Sequence, residues 1–244
     1  MEIAPKQEAP RWAQKLHALQ LFLSRDFLGG PRVLKMSWVV NSQKGLTLFF
    51  VLGLMYLFDN FSTAAWIYLG LHGSYGFCWL LKHLAFRDRN WETKVTFGGA
   101  FMMYALALGL YWVFPFMLIS GAWGAPTSAP SNSLLGVCIG LHTLGVAIML
   151  SADCQKYFTL KYRSGLITEG MFSRIRHPNY LGEMMIYASY ALLVRHWIPW
   201  VILAWVWFGI FLPNMKMKEV SLSRYSGWAA YKARTGMLFP VGNH

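Results

Sequence analysis

Apolar positions along this chain gather into six runs, roughly 45–60, 63–81, 97–119, 134–152, 179–194 and 197–213, separated by polar or turn-forming stretches. About 20 apolar residues let an α-helix cross the hydrocarbon of a bilayer, so the pattern predicts about six transmembrane helices. The first, fifth and sixth runs are short and are expected to extend at their polar ends or to lie partly inside the bundle. Nowhere does the sequence alternate with the two-residue period of a strand. The expected fold is all-α, a polytopic membrane bundle over residues 41–244 whose half at 140–240 carries the candidate site. Residues 1–40 read as an amphipathic arm. Between 11 and 28, Trp12, Leu16, Leu19, Leu23 and Phe27 recur every three or four positions, as in a helix lying in the membrane interface. Docking on a partner protein is the alternative for this helix.

The connections are short. Gly29-Gly30-Pro31 ends the arm helix, Asp59-Asn60 suits a tight turn, and Arg195-His196 marks a hairpin. The stretch 120–133 is rich in Gly, Pro and Ser and reads as a connector. The first residues lack the charged start, apolar core and cleavage site of a signal peptide.

Composition sharpens this picture. Of 244 residues, 56% are hydrophobic and only 13% charged, against about 25% charged in soluble domains. The net charge of +12 raises the question of nucleic acid, but its placement points elsewhere. With both termini on the inward, cytosolic-type side, that side holds 21 of the 22 Lys and Arg residues, Arg195 being the exception. This is the positive-inside pattern, and it assigns the basicity to topology, to anionic membrane lipids and to an anionic cofactor rather than to nucleic acid. Cys78, Cys138 and Cys154 show no paired spacing and read as free, buried thiols, with no metal site.

The densest polar cluster is Arg174-Ile-Arg-His-Pro-Asn-Tyr-Leu-Gly-Glu183, at the mouth of the fifth run. Ionisable groups beside hydrocarbon need partners or a polar ligand. Pro178 suits the first turn of a helix, which places Asn179 and Glu183 one turn apart on one face. With Asp153 and Arg163 upstream and Glu219 and Arg224 in the tail, the set suits a phosphate-bearing, ribose-bearing ligand. The competing reading makes Arg174, Arg176 and His177 headgroup anchors. Tyr75 is the candidate proton donor, with His72, Lys82, His83 and His142 nearby in the apolar runs.

The run from Gly165 to Glu183, with Asp153-x-Gln-Lys before it and Tyr231-Lys-x-Arg-x-Gly-x-x-x-Pro240 after it, resembles the C-terminal half of the steroid 5-alpha-reductase family over roughly residues 140–240. It resembles even more the uncharacterised membrane proteins of that superfamily. The resemblance implies an NADPH-dependent reductase acting on a conjugated carbon–carbon double bond in a lipid-like substrate. Asp153, Arg163, Arg174, Asn179, Glu183 and Arg224 would then surround the NADPH. The N-terminal Gln-Glu pair of the steroid reductases has no counterpart here, and Tyr75 is the candidate for their pocket tyrosine. The core Arg-His-Pro-x-Tyr-x-Gly and the tail from Glu219 to Tyr231-Lys are similar to the isoprenylcysteine carboxyl and phospholipid methyltransferases. On that reading His177, Tyr180 and Glu219 would contact S-adenosylmethionine. A non-catalytic subunit of a larger membrane assembly is the third reading.

Overall fold

The computed structural model describes residues 8–241. The chain is a helical bundle, preceded by an arm helix and tied by short backbone ladders. Helix α1 (Arg11–Arg25) leads to α2 (Met36–Leu57) and α3 (Thr63–Ala85). Helix α4 (Phe97–Ser120) carries a π-helical turn at Tyr104–Leu108. Then follow α5 (Asn132–Tyr162), α6 (Pro178–Val194), α7 (Trp197–Leu222) with a π-helical stretch at Trp205–Phe211, and the short α8 (Trp228–Arg234). Three of these, α4, α5 and α7, are long and apolar enough to cross a membrane.

Local chemistry explains the boundaries. Ser62, Thr96 and Ser131 cap α3, α4 and α5, each side chain accepting from a backbone N–H three residues on, which satisfies one of the orphan donors of a helix start. Pro178 opens α6, where its missing N–H costs nothing. Asp59 and Arg195, both at positive φ, turn the chain between α2 and α3 and between α6 and α7.

Three expectations need correction. The last helix runs to Leu222 rather than ending near 213, so Lys216, Lys218 and Glu219 continue it instead of forming a separate tail segment. The amphipathic arm is shorter than 1–40, because α2 already begins at Met36. Strand pairing is present in miniature: β1 (Leu34–Lys35) pairs antiparallel with β2 (Lys94–Val95), and Ile175 bridges Gly236 in parallel. Two-residue ladders are too short to show a period.

The arm is sewn to the bundle by polar contacts. The Thr96 N–H and hydroxyl donate to the Arg25 and Phe27 carbonyls at 3.0 and 2.9 Å, His17 meets Asn214 at 2.8 Å, and Gln20 donates to the Gly209 carbonyl. Trp12, Leu19 and Phe22 on α1 stay exposed.

The tightest helix contact joins α5 to α6. A Cβ on Gly182 would lie 2.6 Å from the Gly145 carbonyl and 2.7 Å from the Met149 nitrogen, and one on Gly145 would lie 2.7 Å from the Gly182 carbonyl. Only hydrogen fits there. Small residues permit such backbone approach between membrane helices, and overpacking a filled interface costs about 1–3 kcal/mol. Gly182→Val is therefore expected to lower the thermal midpoint of the detergent-solubilised protein, with a smaller loss for Gly182→Ala; an unchanged midpoint for both would contradict this packing.

Candidate functional site

Two polar regions flank α6. The first is a cleft at its N-terminal end, lined by Lys156, Ile167, His177, Asn179, Tyr180 and Lys218 among others, with a cavity of about 90 Å3. Its floor is built by the loop between α5 and α6. Gln155 holds that loop from both sides, donating to the Glu169 carbonyl at 2.9 Å and accepting from the Met171 N–H at 2.8 Å. Tyr231 reaches from α8 to the Phe172 carbonyl at 2.7 Å.

The cleft wall depends on one buried ion pair. Arg176 Nε meets Glu219 Oε1 at 2.7 Å with both side chains about 8% exposed, and the same guanidinium donates to the Thr235 carbonyl. The backbone repeats the tie: the Arg176 and His177 N–H groups donate to the Gly236 and Met237 carbonyls at 2.9 and 3.1 Å. This couples the C-terminal tail to the start of α6. Beside it, the His177 base is pushed down to about 3 by burial and then by the charges of Lys218, Arg176, Lys216 and Lys156. The Glu219 carboxylate, 3.9 Å away, is already engaged by Arg176 and does not offset them. His177 is thus a neutral imidazole at pH 7, and its buried Nε2 has no hydrogen-bond partner. At the rim, burial alone would raise the Asp88 carboxyl, but the Lys156 ammonium and the Asn90 N–H hold it below the usual carboxylate range.

The second region lies inside the bundle. Lys44, 4% exposed, enters from α2 and donates to the Tyr187 hydroxyl at 2.5 Å. Its ammonium sits 4.4 Å from the ring centre of Tyr75, 5.2 Å from those of Trp79 and Tyr187, and 6.0 Å from that of Tyr111, a cage of cation–π contacts. Tyr111 stacks on Tyr187 with centroids 3.7 Å apart. Deeper still, His72 stacks on Tyr190 at 4.5 Å and meets the Tyr68 hydroxyl at 3.1 Å. Glu183 lies in the field of Lys44, Lys82 and Asp153, yet makes no hydrogen bond or ion pair with any described residue. Lys82 is held against Asp153 in a close ion pair.

The structure thus brings Arg176, His177, Asn179, Tyr180 and Glu219 together at the cleft and sets Asp153, Glu183 and Tyr75 one turn or more deeper in the bundle. It does not bring in the other three predicted residues. Arg163 pairs with Glu169 at 2.7 Å, both largely exposed. Arg174 is exposed, and Arg224 turns outward onto Tyr225 at 3.0 Å. Lys44, Lys156, Tyr187 and Lys218 were missed as site residues. A solitary lysine nine positions into an apolar helix was the available sign for Lys44, and the four-residue step from Glu183 was the sign for Tyr187.

With this geometry in place, the comparisons define the class. Residues 82–235 match the family described as a protein of unknown function (DUF1295), and the chain belongs to that family. The family falls within the steroid 5-alpha-reductase C-terminal-like superfamily. Two uncharacterized proteins of Schizosaccharomyces pombe are similar over shorter stretches. One is 32% identical over 77 residues, 31% of this chain and 28% of that protein. The other is 31% identical over 91 residues, 35% of this chain and 26% of that protein. The chain thus spans little more than a quarter of the length of these relatives. No solved structure matches it.

The Arg176–Glu219 pair yields a prediction. Removing one partner of a buried pair leaves an uncompensated charge and costs about 3–5 kcal/mol. Glu219→Ala is expected to destabilise the protein by about 3 kcal/mol in denaturant titrations, and Arg176→Met with Glu219→Leu to recover most of it. Equal losses in the single and double variants would contradict the pair's structural role.

Proposed function

We propose that the protein is a membrane-embedded, NADPH-dependent reductase that saturates a carbon–carbon double bond conjugated to a carbonyl in a steroid- or lipid-like substrate. The observation that supports this most is the polar stripe of α6. Asn179, Glu183 and Tyr187 stand at successive turns and lead from a cationic cleft into an interior of phenols around a lysine. Bound NADPH would supply a hydride. Lys156 and Lys218 suit one of its phosphates, and the closed part of the cleft has room for a fragment of that size. The Asn179 amide, which makes no hydrogen bond to a described residue, suits a ribose or carboxamide. Sealed walls around the reacting atoms would keep water out.

In this reading the chain crosses the membrane six times. Both termini and the loops at 82–96 and 153–178 then lie on the inward side. A cysteine-labelling scan should find 120–133 on the opposite face; labelling from the same side as residue 1 would refute the six-span arrangement.

A second reading, an S-adenosylmethionine-dependent methyltransferase, is favoured by one specific feature. His177, Tyr180 and Glu219 converge at the same cleft, with the His177 and Tyr180 rings 5.9 Å apart. Thermal-shift titration with each ligand separates the two. A ligand at 100 times its Kd stabilises by about 2.7 kcal/mol. The reductase reading expects that shift with NADPH, and an affinity at least about tenfold weaker in the Lys156→Ala, Lys218→Ala variant. A shift with S-adenosylmethionine alone would replace it with the second reading.

A further inference from the structure

The interior cluster contains hydrogen-bonding capacity that the protein leaves unused. An ammonium carries three donors, and Lys44 makes one hydrogen bond, to Tyr187. The Tyr187 oxygen accepts that bond, and its own proton makes no hydrogen bond of good geometry to a described residue, the nearest hydroxyl being that of Tyr75. The Tyr75 hydroxyl is buried beside Tyr187 without a hydrogen bond of good geometry. Three sets of donors therefore converge from α2, α3 and α6, and none of them makes a hydrogen bond to a carboxylate or a carbonyl of a described residue. Buried polar atoms without partners are rare and call for an explanation. A purely structural role would ask for a carboxylate against Lys44, yet Glu183 forms no ion pair with it.

We propose that Lys44 and Tyr187 bind the carbonyl oxygen of an apolar enone, and that Tyr187 is the catalytic residue giving that oxygen its proton, with Lys44 as its positioning residue. The inference rests on the reductase reading for the proton step. As the β-carbon gains a C–H bond by hydride addition, the double-bond pair shifts toward the carbonyl. The carbonyl oxygen then takes the proton from the Tyr187 oxygen. The phenolate left behind faces the Lys44 ammonium, which stabilises it without reorganisation. Tyr187 recovers a proton from the inward side past Glu183, one turn away, and the enol returns to the ketone. A carbonyl oxygen, with two lone pairs and no proton of its own, can take two of these donors at once. The remainder of the ligand meets aromatic rings, which sets its class as a sterol-like or long-chain enone rather than a charged metabolite. The rings close over the pair in this structure, so the carbonyl end must part them to enter.

The test uses the full chain in nanodiscs and two probes with isotope-labelled carbonyls, cholestenone and a straight-chain enone of similar length. Infrared difference spectra are taken without NADPH. The wild type is expected to move the carbonyl band of at least one probe below its position in lipid, and Tyr187→Phe, which keeps the ring stacked on Tyr111, to return it. A shifted band that persists in Tyr187→Phe, or only the lipid band in the wild type with both probes, overturns the carbonyl site. With NADPH added, Tyr187→Phe and Lys44→Met are each expected to lower kcat by about 100-fold or more, with KM changed little, NADPH affinity unchanged, and the double variant no worse than either single one. A kcat retained within threefold in Tyr187→Phe overturns the proton step. Absence of NADPH binding in the wild type would sink the reductase reading and the proton step together, while the infrared band still decides the carbonyl site by itself.

Discussion

In hydrocarbon, helices gain little from burying apolar surface against one another, because lipid tails are as apolar as side chains. Close packing has to hold them, and here the closest packing is the approach of Gly145 to Gly182. That contact also sets the rotation of α6. Gly182 and Ile186 face α5, so the residues one step further round the helix, Glu183 and Tyr187, turn toward α2 and α3. A bulkier residue at 182 would push α6 outward and rotate this stripe away from Lys44. The cleft, the interior cluster and the register between them all follow from two absent side chains.

Charge is buried in two different ways in this bundle. Arg176 and Glu219 satisfy each other, and the carbonyls of the tail take up what remains of the guanidinium. The Nε and one terminal nitrogen of the guanidinium are both answered, as expected of a pair that fixes geometry. Lys82 and Asp153 do the same at the inner edge of the cleft. Lys44 and Glu183 are treated otherwise: one is surrounded by rings and a single phenol, the other by charges it does not touch. Desolvating an ion without a full partner costs several kcal/mol. Spending stability on such a group beside others that are fully satisfied sets the interior apart from the rest of the framework.

The helices were legible because each apolar run is continuous, and five of the six begin or end at a Ser, Thr, Pro or turn residue with a defined role. The end of α7 was not legible. Lys216, Lys218 and Glu219 break the apolar run, but a helix does not stop where its surroundings become polar, and the helical backbone continues to Leu222. Much of the cleft was legible because Arg176, His177, Asn179 and Tyr180 are neighbours in sequence. The arginines 163, 174 and 224 looked equivalent to Arg176 in composition, and only burial separates them. Lys44 was counted with the inward basic residues that mark topology, whereas its partner Tyr187 lies 143 positions away, a distance no local pattern spans.

The two polar regions lie on one helix but open to different media. The cleft opens at the N-terminal end of α6, where exposed Arg163 and Arg174 mark a wet rim. The interior cluster is closed to water and bounded by rings. A charged, soluble molecule can approach the first, and an apolar one arriving through the membrane can approach the second. On the proposed reading the residues between them, Asn179 and Glu183, are where the two reactants would meet. A single rigid helix sets Glu183 about one turn and Asn179 about two turns from Tyr187, at about 5.4 Å per turn. On the same reading, the short stretch from Asn179 to Tyr187 would link the cleft of Lys156 and Lys218 to the donor for a carbonyl.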